Sequence, residues 1–386
     1  MNLLLSSGEA SGDIYGSRLL RALSRRRPAM DFFGMGGPRL GDAGLERIVP
    51  SEALSVVGIF EVFEKLPAVR RALSALETAA RRRSPAAAVL IDFPDFHALL
   101  ARRLVRLGIP LIYYVSPQVW AWRAGRAKTI AARARRIITL FPFEAQIYAR
   151  YGADAVCAGH PLVDDVREGL SQPARPDPAP GQRRLVLLPG SRRGEIERHW
   201  EPMVEAASRL ARRFDLEVVA IRAPGLPPDL FASGASRGVR VVESGLHRQL
   251  AGADLAFVAS GTATLEAALC GTPMVVLYRT SAASAAIGRL LIKVPWISLV
   301  NIVGGEVIVP ELIQREATAD RLEEEGAAIL ESPDRARRMR EGLAAVSARL
   351  GPPGATERAA DAILEAIERR PGAGEAATGF AREGAR

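Results

Sequence analysis

LAFVASGTATLEAAL, residues 255–269, is an apolar run that ends in a turn of small residues and passes at once into a helix-forming stretch. Ser260 and Gly261 close the strand, and Thr262 is placed to cap the helix. Free backbone amides at such a helix start attract phosphate. Glu266, one turn further in, can accept hydrogen bonds from a ribose diol, or can simply partner the helix dipole. The same shape recurs at SSGEASGD (6–13), IDFPDF (91–96) and LLPGSRRGE (187–195). Two examples in each half of the chain point to an α/β protein of two Rossmann-like, doubly wound domains facing a cleft. Such sheets bind anions and place catalytic side chains at the carboxyl ends of parallel strands.

Outward from these turns the alternation continues. Strands are expected at NLLL (2–5), AAAVLI (86–91), PLIYYV (110–115), RIITLF (136–141) and AVCAG (155–159), with helices over 13–25, 65–83, 97–107 and 124–135. Near-continuous apolar strands separated by helices belong to a parallel sheet covered on both faces. SQPARPDPAPGQRR (171–184) is proline-rich and aperiodic and reads as a linker. Beyond it RLVLLPG (184–190), LEVVAI (216–221), GVRVVE (238–243), LAFVAS (255–260) and PMVVLY (273–278) restart the pattern, and amphipathic stretches near 318–330, 333–348 and 354–369 end it. The expected division is an N-terminal Rossmann-like domain over 1–170, the linker 171–184, a second such domain over 185–310, C-terminal helices over 311–370 and a disordered tail over 371–386.

A chain of 386 residues can form two domains with a core each. A hydrophobic share of 48% with 25% charged residues is globular and excludes a disordered protein. Lysine occurs only at Lys65, Lys128 and Lys293, so the net charge of +9 is carried by arginine. A basic surface attracts anions such as phosphorylated substrates or acidic lipid. Each arginine run, such as Arg25–Arg27 or Arg81–Arg83, taken singly is a helix-end dipole complement. Cys157 and Cys270 stand in apolar contexts and read as buried free thiols of a reducing compartment, not a disulfide or a zinc site. NLLLSS is too short for a secretory signal, and no apolar run reaches the ~18 residues of a membrane span.

LLPGSRRGE offers Gly190, which permits an unusual backbone angle or close ligand approach. Ser191 follows, then Arg192 beside a helix N-terminus, where a guanidinium can neutralise a diphosphate; Arg193 reads as surface. SSGEASGD matches neither the P-loop nor G-x-G-x-x-G and lacks the P-loop lysine, which disfavours ATP hydrolysis. Glu9, Ser11, Gly12 and Asp13 suit a hydroxyl-rich ligand, with helix capping by Ser11 and Asp13 the plainer alternative. IDFPDF ends a buried strand on Asp92, where desolvation raises a carboxylate's pKa and makes it a general base. Asp95 is expected to cap the next helix. No D-x-D spacing and no cluster of ligands occurs, so a metal-independent reaction without cofactor is expected.

In YYVSPQVWAWR (113–123), Trp120 and Trp122 beside Arg123 read either as a stacking surface for sugar or acyl chains or as an interdomain cluster. His160 is a substrate contact or a structural residue, while His97, His199 and His247 read as structural. Residues 53–73 and 282–300 place apolar side chains beside Lys65, Arg70, Arg71, Arg289 and Lys293, which suits peripheral contact with acidic lipid or, alternatively, ordinary buried helices.

Taken in order, SGEASGD, GMGGPR (34–39), SVVGIFEVF (55–63), IDFPDF, YYVSPQVWAWR, FPFE (141–144), GHPL (159–162), LLPGSRRGE, ASGTATLEAAL, PMVVLYR (273–279) and ISLVNIVGG (297–305) resemble the lipid-A-disaccharide synthase family. The resemblance covers the chain to about residue 370 and implies a GT-B fold. It implies inverting transfer of 2,3-diacylglucosamine from UDP-2,3-diacylglucosamine to 2,3-diacylglucosamine 1-phosphate, giving the β-1,6 disaccharide 1-phosphate of lipopolysaccharide biosynthesis and UDP. Asp92 matches the family's base, Arg192 its diphosphate-binding arginine and Asn301 a functionally important asparagine; Glu266 fits the ribose-binding glutamate of this fold. One departure stands out: where the family usually reads asparagine after D-F, this chain has His97. The resemblance further implies a cytoplasmic enzyme peripheral on the inner membrane, with no nucleic-acid partner and with a homodimer left open. Two other readings compete, a UDP-sugar 2-epimerase of the same fold and a nucleotide-sugar-binding protein without catalysis.

Overall fold

The computed structural model describes residues 1–54, 66–116, 125–171, 182–280 and 295–369. The chain divides into two compact units, one built from Met1–Pro117, Gly125–Ala158 and the stretch from Thr356, the other chiefly from Gly159–Ala355.

The first unit is a seven-stranded sheet of β1 (Asn2–Ser7), β2 (Asp31–Gly36), β3 (Glu46–Pro50), β4 (Ala87–Ile91), β5 (Leu111–Tyr114), β6 (Ala134–Thr139) and β7 (Ala155–Cys157), in the order β3-β2-β1-β4-β5-β6-β7. Every neighbouring pair is parallel. Leu3, Leu4 and Leu5 of β1 and Ala87 to Ile91 of β4 are buried on both faces, which is why these strands read as unbroken apolar runs. Each large aliphatic side chain so buried contributes about 1.5–3 kcal/mol.

The second unit repeats the plan with β8 (Arg183–Leu188), β9 (Leu216–Ile221), β10 (Val239–Val242), β11 (Leu255–Ala259), β12 (Met274–Tyr278) and β13 (Glu311–Ile313), in the order β10-β9-β8-β11-β12-β13. Its pairs are also all parallel. Both sheets therefore have the doubly wound order, and each has its topological switch point beside its first strand.

The strands expected from sequence are present within a residue or two, but β2, β3 and β13 are not legible there. In β2 the run DFFGMG is broken by Gly34, which lies at φ +147° so close to β1 that a Cβ would meet the Leu5 carbonyl oxygen at 1.9 Å. Close backbone approach demands glycine there and removes the side chain that would have signalled a strand.

The division departs from the expected boundaries at both ends of the second unit. Leu162–Ser171, expected in the N-terminal domain, packs against helices Leu246–Ala251 and Thr262–Leu269 of the second unit. The last helix, Ala355–Glu368, returns to the first. There Arg25 reaches Glu357 at 2.7 Å, Arg26 reaches Asp361 at 2.6 Å, and Arg27 pairs with Glu368. Arg136, 3% exposed, bridges Glu365 and Asp154 at 2.9 Å each. Of the two cysteines expected to be buried, Cys157 is exposed and Cys270 half-buried. Residues 172–181 of the linker and the tail 371–386 lie outside the described residues.

Candidate active-site loops at the two switch points

In the first unit β1 and β4 end side by side, with Ser7 in register with Ile91. The turn after β1 and the residue after β4 are thus neighbours, although 81 positions separate Ser11 from Asp92. Ser11 Oγ donates to Asp92 Oδ2 at 2.7 Å. Gly12 lies beneath this pair, where an added Cβ would stand 2.4 Å from Ser7 Oγ and 3.5 Å from Asp92 Cβ. Asp92 itself adopts φ +39°, a left-handed conformation that aspartate tolerates better than bulkier residues. Burial raises its pKa above the usual carboxylate value, and the Ser11 hydrogen bond opposes this in part. The outcome is a half-buried carboxylate more basic than one in water, with one donor already oriented on it.

Asp13 takes no part in this pairing. It is buried, and its carboxylate accepts from the backbone N–H groups of Gly37 at 2.8 Å, Arg39 at 3.0 Å and Leu40 at 3.1 Å. It therefore caps the helix Pro38–Asp42, a capping role expected of it, but on a neighbouring helix rather than its own. Glu9 is exposed at the N-cap of Ala10–Arg26. Asp95 is exposed and pairs with Arg126. Trp120, Trp122 and Arg123 lie outside the described residues.

Three of the four histidines, His97, His160 and His199, are buried. His97 Nε2 sits 2.9 Å from Ser6 Oγ, and burial pushes its pKa down to about 3. His160 is held down to about 4 by burial, and its Nδ1 accepts from Leu162 N at 3.2 Å. His199 bridges two strand ends in the second unit, with Nδ1 2.9 Å from the Pro189 oxygen and Nε2 accepting from Arg279 N at 3.0 Å.

At the second switch point β8 and β11 run side by side, with Leu188 opposite Val258. The turn after β8 carries Gly190 at φ +123°, where an added Cβ would meet Glu195 Oε2 at 2.4 Å. Glu195 Oε2 accepts from Ser191 N at 2.8 Å and Arg192 N at 3.2 Å, and its Oε1 holds Arg192 Nη1 at 3.0 Å. Glu195 is the residue the sequence reading passed over. It satisfies the amides of Ser191 and Arg192, while the Arg192 side chain it also pairs with stays 77% exposed. Arg193 is exposed too and pairs with Glu197 at 3.5 Å.

The turn after β11 is pinned from both sides. Ser260 N donates to the Leu277 carbonyl at 3.0 Å, and Ser260 Oγ donates to the Ile297 carbonyl at 3.1 Å. Gly261, and not Thr262 as expected, stands at the N-cap of the helix Thr262–Leu269, which has no side-chain cap, and no atom lies within 4 Å of where its Cβ would be. Thr262 is exposed over this open space. Glu266, one turn in, accepts from His247 Nε2 at 3.1 Å.

Asn301 is buried and fully engaged. Its Nδ2 donates to the Val309 carbonyl at 2.9 Å and to Glu311 Oε1 at 2.8 Å, and its Oδ1 accepts from Ile308 N at 2.8 Å and Val309 N at 3.0 Å. With both donors and both lone pairs used, the amide can shape a site but has no capacity left to bind a ligand directly. Glu311 organises the same region, accepting from Ile297 N, Ser298 N, Ser298 Oγ and Asn301 Nδ2. Since Ile297 also holds Ser260, the Glu311 carboxylate fixes one wall of the turn after β11. A lone glutamate at the start of a short edge strand carries no sequence signal of such a role. Among the described residues no group of His, Cys, Asp and Glu could hold a metal ion.

The first unit thus presents a base-like carboxylate at its switch point, and the second, taken by itself, an exposed arginine and an open helix start. Residues 3–353 match the family described as lipid-A-disaccharide synthetase. The chain is similar to the lipid-A-disaccharide synthases of Geobacter sulfurreducens, 41% identical over 95% of this chain and 97% of that one, and of Anaeromyxobacter dehalogenans, 43% identical over 94% and 96%. Among solved structures it resembles the calicheamicin glycosyltransferase CalG4, with TM-score 0.62 and 16% identity over 95% of this chain and 98% of that one. The UDP-GlcNAc 2-epimerase of Neisseria meningitidis bound to UDP-GlcNAc matches at TM-score 0.62 and 13% identity, over 95% of this chain and all of that one (100%). At such identities these two likenesses establish the shared two-domain α/β fold, GT-B, and nothing of chemistry.

Proposed function

The chain belongs to the lipid-A-disaccharide synthetase family, and on that premise we propose how its residues divide the work. It is a glycosyltransferase of lipid A disaccharide synthesis. The donor is UDP-2,3-diacylglucosamine and the acceptor 2,3-diacylglucosamine 1-phosphate. The observation that carries the assignment of the base is the Ser11–Asp92 pair at the first switch point. Asp92 Oδ1 has no hydrogen-bond partner among the described residues, and burial makes the carboxylate more basic. It withdraws the proton of the acceptor 6-hydroxyl as that oxygen attacks the anomeric carbon and the bond to UDP breaks, which inverts the configuration.

The departing diphosphate takes up negative charge. Arg192, exposed beside its turn, and the helix start at Gly261–Thr262 stabilise that charge without a metal. Glu266 accepts from the ribose hydroxyls. Asn301 acts through position, holding the segment that carries Ser298 and Ile297 against Ser260.

Acyl chains on both substrates call for a surface that meets lipid. On the packed helices Leu66–Arg83 and Pro94–Arg106, Leu66, Leu99 and Val105 are exposed among Arg70, Arg71, Arg102 and Arg106. That mixture favours peripheral contact with acidic lipid. No described helix is long and apolar enough to cross a membrane. Residues 55–65 and 281–294, which hold most of the apolar side chains expected to serve this contact, lie outside the described residues.

The test is an assay of the purified protein with both lipid substrates and excess chelator. Disaccharide 1-phosphate and UDP formed in equal amounts are expected. Isomerised sugar nucleotide without disaccharide would point instead to epimerisation, and activity that needs an added divalent ion would defeat the metal-free assignment.

A further inference from the structure

His247 stands outside the turns described above, yet its ring hydrogen-bonds the Glu266 carboxylate. It lies on the short helix Leu246–Ala251, with Nε2 3.1 Å from Glu266 Oε1; the two side chains are only 14% and 17% exposed. A carboxylate accepts and never donates, so Nε2 carries the hydrogen. Behind the ring runs Leu162–Ser171, and Gly169 presses so near that an added Cβ would lie 2.1 Å from His247 Nδ1. Cys270 Sγ, just past the end of the Glu266 helix, donates to the His247 carbonyl at 3.5 Å. The imidazole is therefore wedged between one helix and the carboxylate of another. Glu266 Oε2 keeps no hydrogen-bond partner among the described residues.

We infer that His247 is the positioning residue that aims the free oxygen of Glu266 at the ribose of the donor. The inference rests on the ribose reading of Glu266 proposed above. A glutamate left loose must give up its rotamer freedom when a ligand binds, whereas one clamped through Oε1 has already done so. The clamp also explains why a helix donates its glycine to this spot: any side chain at residue 169 would push the imidazole off Glu266.

The experiment measures dissociation constants of UDP and 2′,3′-dideoxy-UDP by calorimetry, on the full chain and on E266A, H247L, H247Q and G169A, with melting curves to confirm folding. The unaltered protein is expected to prefer UDP, and E266A to lose the preference. H247L should bind UDP about tenfold more weakly while its dideoxy-UDP affinity changes little, as for loss of one preorganised hydrogen bond. H247Q, which keeps a donor of similar reach, should retain most of the preference. A merely structural histidine would instead weaken both ligands alike or neither. Retention of the preference by H247L while E266A loses it overturns the inference alone; retention by E266A overturns it together with the ribose reading. Should H247L fail to fold, G169A keeps both partners and displaces only the ring, and an unchanged preference there is equally fatal.

Discussion

Replacing Ser11 by alanine isolates the tuning of Asp92. The serine hydroxyl donates at 2.7 Å to the ionised carboxylate and lowers a pKa that burial has raised. A hydrogen bond to a charged group contributes about 1.5 kcal/mol. One pH unit corresponds to 1.36 kcal/mol, so the acid limb of the kcat/KM profile should move up by about one unit. Activity at the high-pH plateau should survive, because a base remains. The assay is a pH–rate profile of disaccharide formation, S11A against the unaltered enzyme. Asp92→Asn completes the argument. Asparagine tolerates the same left-handed backbone at φ +39° but cannot take a proton, so kcat should fall by ~10²–10⁴.

The stability effect of Asp92→Asn has the opposite sign. A carboxyl whose folded pKa is raised binds protons more tightly in the native state, so the fold loses stability as pH climbs from 3.8 through the folded value. Above that window D92N should melt higher than the unaltered protein. An acid limb that stays put in S11A, or near-normal turnover in D92N, would refute the assignment of Asp92 as base.

Arg192→Ala should weaken UDP binding by about tenfold or more with no change in melting, since an exposed guanidinium holds the ligand and not the fold; unchanged affinity in calorimetry would move the diphosphate elsewhere. Asn301→Ala strands Ile308 N, Val309 N and the Val309 carbonyl, and should cost about 3 kcal/mol in denaturant unfolding. A variant lacking everything from Thr356 onward removes Glu365 from the buried Arg136 and should destabilise the first unit by about 3 kcal/mol, with urea titration as the check. Equal stability there would mean that Asp154 alone satisfies Arg136 and that burial of Ile363 adds nothing to the first unit.

Much of the protein was legible before any coordinates. The apolar runs of β1, β4, β8 and β11 announce buried parallel strands because both faces of such a strand are covered. The turns that follow them are rich in Gly, Ser, Asp and Pro, residues that favour a sharp strand-to-helix corner. The positions of Asp92, Arg192 and Ser260 just beyond strand ends are therefore legible in the sequence. The roles of their neighbours are not. Capping is legible for Asp13 as a residue type, but only the folded chain shows that the helix it caps is Pro38–Asp42, and that the Asn301 amide is spent on the loop at Ile308–Val309. Glu311 and His247 read as ordinary polar residues until the fold brought them against Ser298 and Glu266, whereas Glu195 lies only three residues from Arg192 and its capping contact is local.

Local sequence thus determined where strands end and helices begin, since burial and turn geometry act on consecutive residues. Only the tertiary structure decided which polar groups satisfy one another. A hydrogen bond is made over about 3 Å between residues that the sheet order has placed together, however far apart they lie along the chain.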